Sequence, residues 1–297
     1  MSIVWTASLQ HYRVLGSSSP LAFEAKCSQL PQDGKITSGI SAVFVDVLRA
    51  TTTLVAVAAA GCPGIYVDVK PKEGSYPFVP PAGLDNVEPW IYGGELDGAP
   101  VAGVGASGEP VYGVIGNSPC SIVRSNFAGS YLRFFSTNGS RALTALARAK
   151  MKSIHALCLA NIDFTVQAVL RRRPDRIWFT CGGFYGSSSI EDIVASGLAI
   201  KRLIDAGFAA ANDLDDEARQ MLVLGELFSD GESIRHETLT TELRGAQVGR
   251  LLTSIGHGDD IRASVCGIGM LDQTLWNDMA NVSLAADEPV KPFVLVE

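Results

Sequence analysis

One unit recurs along this chain in kind, although not in sequence. An apolar run passes through a polar or glycine-rich turn into a helical pattern. Residues 42–47 lead through Leu48-Arg49-Ala50-Thr51-Thr52 into 53–60, closed by Gly61. Residues 131–135 lead through Ser136-Thr137-Asn138-Gly139-Ser140 into 141–150. Residues 176–180 lead through a turn over 181–187 into 189–206, and residues 153–159 precede a helical pattern over 163–173. Apolar strands alternating with helices predict an α/β fold, its parallel or mostly parallel sheet covered on both faces. In such sheets ligands bind at the carboxyl ends of the strands. The first three turns lie there, and they hold Arg49, Asn138 and glycines that a plain connection does not need.

Composition agrees with a buried sheet joined by tight loops. Charged residues are 19% of the chain and glycines number 30, against about 25% charged in a typical domain. At 297 residues the chain can form one large domain or two small ones; we read a single domain over 1–297. Residues 70–110 are rich in Pro and Gly with little periodicity, an irregular insertion or lid with a short apolar piece at Trp90-Ile91-Tyr92. Long irregular segments inside a domain are commonly functional. Residues 213–229 and 236–253 read as two amphipathic helices, and 292–296 as a last strand. The acidic run at 213–217 suits a first helical turn better than a metal site.

Charge argues against nucleic acid as a partner. There are 24 basic residues to 31 acidic ones, and a duplex-binding surface needs clustered cations. The one dense basic run, Arg171-Arg172-Arg173, suits the carboxyl end of a helix before Pro174. No segment approaches the roughly 18 apolar residues of a membrane helix, and the N-terminus lacks a secretory pattern. A cytoplasmic, membrane-free protein is expected, with a homodimer left open. Cysteines 27, 62, 120, 158, 181 and 266 have no Cys-x-x-Cys spacing and read as free thiols, not as zinc ligands.

Several loops carry chemistry-bearing residues. Asp46 ends the first strand with Arg49 and three threonines close behind. A strand-end carboxylate can bind a hard cation such as Mg²⁺, and an arginine fork can hold phosphate or carboxylate. The same heptapeptide equally suits a helix cap with a surface ion pair. Gly93-Gly94-Glu95 sets a carboxylate between flexible backbone positions. Gly116-Asn117-Ser118-Pro119 precedes a short helix and is also what a capped turn needs. Thr137-Asn138-Gly139-Ser140-Arg141 offers a tight turn, a helix amino end and a cation. Glu191-Asp192 opens a helix, where acids offset the dipole. Together the loops place acids, amides, hydroxyls and arginines at the strand ends of one sheet, the equipment for metal-assisted chemistry on a small anion. Other machinery is missing: there is no Gly-x-Ser-x-Gly elbow and no phosphate loop. Ser187 stands where a cysteine phosphatase using Cys181 needs Arg. His236 lies in Arg-His-Glu, and Leu48 stands where an aspartyl-phosphate phosphatase has a second Asp.

These blocks, in this order, resemble the 2-phosphosulfolactate phosphatase family. The resemblance rests on Val45-Asp46-Val47-Leu48-Arg49-Ala50-Thr51-Thr52-Thr53, Gly94-Glu95, Gly116-Asn117-Ser118-Pro119, Thr137-Asn138-Gly139-Ser140-Arg141-Ala142-Leu143, Cys181-Gly182-Gly183 and Ser189-Ile190-Glu191-Asp192. It covers about residues 40–205. It implies a three-layer α/β/α fold and a Mg²⁺-dependent phosphatase acting on a small, highly anionic phosphate ester. It implies Asp46, Glu95 and Asp192 as metal ligands, and Asp46, Arg49 and Glu191 as catalytic groups. Arg49, Thr51, Asn117, Ser118, Thr137, Asn138, Gly139 and Arg141 are implied as substrate-binding. The attacking group is then either a metal-activated water or the Asp46 carboxylate. The chain departs from the family pattern at Phe135-Ser136-Thr137, at Leu159-Ala160-Asn161-Ile162-Asp163 and at Ala195-Ser196-Gly197. A changed substrate, an altered hydrolase or lyase reaction, or a non-catalytic anion-binding protein are the alternatives.

Overall fold

Strands β1 (Val14–Ser17) and β2 (Ile40–Val45) are buried at every position, so the sheet they join must be covered on both faces. The computed structural model describes residues 11–28, 37–68, 89–104, 110–112, 115–122, 127–151, 153–266, 284–285 and 293–295. Between and after these strands come α1 (Pro20–Cys27), α2 (Ala50–Ala59), β3 (Ile65–Val67), β4 (Trp90–Leu96), β5 (Ala99–Pro100), β6 (Ala102–Val104), β7 (Pro110–Tyr112) and α3 (Pro119–Ile122). Then follow β8 (Tyr131–Phe135), α4 (Gly139–Arg148), β9 (Ser153–Leu157), α5 (Ile162–Arg171), β10 (Arg176–Cys181), α6 (Ile190–Asp205) and α7 (Asp216–Leu227). The rest is β11 (Ser229–Asp230), β12 (Ser233–Ile234), α8 (His236–Gly245), α9 (Gln247–Ser254), α10 (Asp259–Cys266), β13 (Leu284–Ala285) and β14 (Phe293–Leu295).

Where the sequence reading has one sheet, the described strands form two five-stranded sheets, with β6-β7 and β11-β12 as separate two-stranded ribbons. The first runs β1-β10-β2-β9-β13 and the second β14-β3-β8-β4-β5. Each is parallel except at one edge, where β13 and β5 are antiparallel. One face of the first sheet, with Val43, Val45, Ile177 and Phe179, packs on Val169, Leu198 and Leu203 of α5 and α6. The other face, with Ala42, Phe44 and Trp178, packs on Leu54 of α2 and Leu143 of α4. This is the three-layer α/β/α arrangement. The second sheet adds Ile65, Leu132 and Phe134 to that latter cluster. Helix α2 is therefore enclosed, and its residues 50–57 are all buried. A helix that is apolar all round has to be interior, which is why Ala-Thr-Thr-Thr-Leu-Val-Ala-Val shows no polar stripe.

Helix starts differ from the sequence reading. Helices α2 and α4 begin at Ala50 and Gly139, not at 53 and 141, so the polar turns themselves supply first-turn amides. Residues 236–253 are two helices rather than one, because Ala246 adopts an extended backbone (ψ 166°) between α8 and α9. Gly249 permits the close return, since a Cβ there would stand 1.8 Å from Leu243 O. The break turns α9 toward the strand ends. Strand β4 lies within the 70–110 segment, and residues 70–88 and 105–109 of that segment lie outside the described residues. Of the expected tail strand, residues 293–295 pair in parallel with β3. Asp215 caps α7 by accepting from Ala218 N–H, with Asp216 and Glu217 in the first turn. Strands β1 and β3 had no signal of their own, being short runs beside glycines.

Candidate active site

Asp46 is the first residue beyond β2 and is buried. Its Oδ1 accepts from Ala50 N–H at 3.1 Å. Thr51 fixes the turn around it: the Asp46 N–H donates to Thr51 Oγ1 at 3.2 Å, and that hydroxyl donates to Asp46 O at 2.8 Å. The other carboxylate oxygen lies against two glycines. A Cβ on Gly139 would come within 2.9 Å of Asp46 Oδ2, and one on Gly182 within 2.7 Å. Neither glycine has a positive φ, so what these positions require is space. Burial pushes the Asp46 carboxyl up to about 7, helped by the Glu95 charge and opposed by Ala50 N–H and Arg49. Burial and the Asp46 charge raise Glu191 to about 7. Asp192 is raised well above the carboxylate range by burial and by Glu191 and Asp46. Three buried carboxyls in mutual repulsion hold protons that water would remove, and they titrate together.

Two of the acids are fixed by backbone amides. Asp192 accepts from Val47 N–H at 2.8 Å and from Gly183 N–H at 2.9 Å, tying the loop after β2 to the loop after β10. Glu95 accepts from Thr137 N–H at 2.7 Å, from the Thr137 hydroxyl at 2.9 Å and from Gly98 N–H at 2.8 Å. It joins the ends of β4 and β8. Gly94 precedes it with φ 113°, and a Cβ there would meet Phe135 O at 1.8 Å, so this strand end requires glycine.

Arg49 follows a cis Leu48–Arg49 peptide. Its Nη1 donates to Asp260 Oδ2 at 2.8 Å, and the Ser118 hydroxyl donates to Asp260 Oδ1 at 2.6 Å. His257 Nδ1 lies 3.5 Å from the same carboxylate; its pKa is lowered by desolvation and by the Arg49 charge. Asp260 was not among the sequence candidates. At the start of α10, after Gly258, it reads as a helix-dipole acid, and only the fold brings it to Arg49.

A cleft opens at the carboxyl ends of both sheets, lined by Asp46, Arg49, Glu95, Asn117, Thr137 and Asn138 among the expected residues. Leu48, Gly98, Ser136, Phe184, Tyr185, Val248, Leu251, Leu252 and Ile255 complete it. Thr51, Ser118, Glu191 and Asp192 are buried outside the lining, Gly139 sits against Asp46, and half-exposed Arg141 pairs with Glu24 at 3.1 Å. The apolar contribution of α9 was also missed, since amphipathic periodicity assigns a helix a core face but not a ligand.

Among the described residues, no group of three His, Cys, Asp or Glu side chains stands ready to hold a metal ion. That does not exclude Mg²⁺, which keeps several waters and takes one or two carboxylates together with substrate oxygens. The donors fit this mode. Asp46 Oδ2 lies in its glycine cradle, and Asn117 Oδ1, buried in the same cleft, has no hydrogen-bond partner among the described residues.

Helix amino ends, a guanidinium and a carboxylate around a cleft at sheet carboxyl ends make this an α/β enzyme built for small phosphorylated anions. A family model described as 2-phosphosulpholactate phosphatase matches residues 26–266. The chain belongs to that family, a family of phosphoric monoester hydrolases. It is 26% identical over 243 residues to a probable 2-phosphosulfolactate phosphatase of Synechococcus sp. (strain WH7803), covering 80% of this chain and 87% of the relative. The protein of the same description from Prochlorococcus marinus (strain MIT 9313) is 27% identical over 245 residues, covering 82% and 90%. One from Picosynechococcus sp. (strain ATCC 27264 / PCC 7002 / PR-6) is 31% identical over 162 residues, covering 54% and 61%.

Proposed function

We propose that this chain is a Mg²⁺-assisted phosphatase that hydrolyses a small phosphorylated acid, 2-phosphosulfolactate or a related metabolite, at Asp46. The observation that carries this reading is the Asp46 carboxylate, with Oδ1 on the Ala50 amide and Oδ2 between Gly139 and Gly182, in one cleft with Arg49 and Asn117. Asp46 would hold the metal, with Asn117 Oδ1 as a second oxygen. Mg²⁺ supplies Lewis-acid polarisation of a phosphoryl oxygen. Arg49, held in place by Asp260, keeps guanidinium N–H groups for the phosphate. The amino end of α4, where the Gly139 and Ser140 N–H groups already donate to Ser136, adds its dipole toward the same charge. Glu95 and Asp192 hold the loops that shape the site. Glu191 acts through Asp46, because a proton on one carboxyl relieves the other.

No helix among the described residues is long and apolar enough to cross a membrane. All six cysteines are free, in keeping with a reducing compartment, and we place the enzyme in the cytoplasm. Exposed Val223 and Leu227, one turn apart on α7, offer a face for a homodimer.

The test is phosphate release from a panel of small phosphate monoesters, with Mg²⁺ and with a chelator. Release that the chelator abolishes supports the reading. Binding without turnover would mark a sensor, and turnover without phosphate release an altered enzyme.

A further inference from the structure

We infer that Tyr185 is a specificity-determining residue, its hydroxyl and the Asn138 amide receiving the acid group that the substrate carries besides its phosphate. This rests on the phosphatase reading and assigns a residue to the other end of its phosphorylated acid. Tyr185 sits on a strained turn. Phe184 N–H donates to Ser187 O at 2.8 Å and Ser187 N–H to Phe184 O at 3.0 Å, which closes a two-residue turn after β10. Its central residues have φ 47° at Tyr185 and 86° at Gly186. Positive φ at both positions is the type I′ combination, which favours Asn, Asp or Gly at the first. A bulky residue is out of place there, and such strain gathers at ligand-binding sites. The Tyr185 ring is 58% exposed, yet it lines the same cleft as Asp46 and Arg49. Phe184 steadies it edge to face at 4.7 Å between ring centres. Core packing does not account for an exposed aromatic ring on this turn.

The polar atoms of Tyr185 already face an acid and an amide. Its hydroxyl donates to Asp97 Oδ1 at 3.3 Å, long for an O–H···O bond. Asp97 lies at the tip of the β4–β5 hairpin, so the contact joins the turns of the two sheets across the mouth of the cleft. Partial desolvation and the Asp97 charge raise the phenol's pKa, and it stays a donor. Both partners are exposed, so the hydroxyl can exchange Asp97 for a carboxylate or sulfonate that a ligand brings. The Tyr185 N–H donates to Asn138 Oδ1 at 3.1 Å. With that oxygen occupied, Asn138 has its Nδ2 donors to offer to the cleft it lines. Asn138 adjoins Gly139, which packs against Asp46 Oδ2. Two neutral donors thus stand next to the place of phosphate chemistry, and hydrogen bonds to an ionised acceptor are the strong ones.

The experiment measures Mg²⁺-dependent phosphate release from 2-phosphosulfolactate, from 2-phospholactate and from isopropyl phosphate, which has a methyl where 2-phospholactate has its carboxylate. In Tyr185→Phe, KM for the two acid esters should rise about tenfold or more, the worth of a hydrogen bond to a charged group, with kcat nearly kept. Their kcat/KM relative to isopropyl phosphate should fall by the same factor, and the urea midpoint should stay put because the side chain is exposed. Asp97→Gly suits the φ of 51° at that position and releases the phenol, so KM for the acid esters should hold or fall. An unchanged KM for the acid esters in Tyr185→Phe overturns the inference and leaves the phosphatase standing. A rise in Asp97→Gly equal to that in Tyr185→Phe also overturns it, since the hydroxyl would then serve only to join the two turns. Phosphate release from none of the three esters removes the phosphatase reading and this inference with it.

Discussion

Arg49 Nη1 lies 2.8 Å from Asp260 Oδ2, with both side chains buried and the two residues 211 positions apart in sequence. Asp260 also receives the Ser118 hydroxyl at 2.6 Å. One carboxylate from α10 thereby fixes the guanidinium of the β2 loop and the turn before α3. Without Asp260, Arg49 would lose its ion pair in a desolvated site.

Asp260→Ala should therefore cost about 3–5 kcal/mol of stability, the usual result of breaking a buried pair from one side. Asp260→Asn keeps an oxygen for Arg49 or Ser118 and should cost less. Both should lower kcat/KM for phosphate release by at least about tenfold, since a misplaced guanidinium no longer meets the charge of the transition state. Urea melts and steady-state kinetics check this. An Asp260→Ala protein with native midpoint and native turnover would rule out the positioning role.

The glycines beside Asp46 give a cleaner separation of activity from stability. A methyl on Gly182 would come 2.7 Å from Asp46 Oδ2, and one on Gly139 2.9 Å. Gly182→Ala and Gly139→Ala should displace the carboxylate and lower kcat by about 10²-fold, the scale on which small misplacements act. Overpacking should take about 1–3 kcal/mol from stability, which leaves a folded protein to assay. Full turnover in Gly182→Ala would show that Asp46 Oδ2 is not where the chemistry occurs.

A third glycine acts on the scaffold. Helices α6 and α7 approach so closely that a Cβ on Gly197 would stand 1.8 Å from Met221 O. Gly197→Ala should destabilise the protein by 2 kcal/mol or more, at the upper end of what overpacking does, because a backbone carbonyl cannot yield as a side chain can. It should also weaken the anchoring of Asp192, which α6 carries. Thermal melting shows the first effect, and wild-type stability in this variant would contradict the close packing.

The sequence made the parallel α/β character legible, because strand-forming runs and helical periods alternate around Asp46, Thr137 and Cys181. It also located the loops, since glycine, asparagine and acids at strand ends have few other uses. What it lacked was everything set by partners distant in the chain. The β8 strand looks the same whether it joins β9 or β3, so the division into two sheets could not be read. Asp260 looks like a dipole acid until α10 folds onto Arg49. Leu251 and Ile255 look like the weak side of an amphipathic helix until the break at Ala246 aims them at the cleft. Thr51 and Asp192 matched the motif, yet their polar atoms are occupied with backbone groups of the neighbouring loops.

The buried acids lead to a prediction that couples pH, metal and stability. Asp46 rises from 3.8 to about 7 in the folded chain, with burial the main cause, and Glu191 from 4.5 to about 7. Between about pH 4 and 7 the native state thus holds more protons than the unfolded state, and unfolding free energy falls as pH increases through that window. Metal-free protein should accordingly melt at a lower temperature at about pH 8 than at about pH 5.5. Each 1 kcal/mol would correspond to about 2–4 °C at this size. If Asp46 holds Mg²⁺ as proposed, the ion would compete with its proton, so the stabilising effect of Mg²⁺ should be larger at the higher pH. Asp46→Asn removes one of the raised groups, and should flatten the metal-free pH dependence and abolish most of the Mg²⁺ effect. Calorimetric scans of both proteins at the two pH values, with Mg²⁺ and with chelator, separate this contribution from other titrating groups. The same Mg²⁺ stabilisation in Asp46→Asn as in the native chain would mean that the metal is held elsewhere.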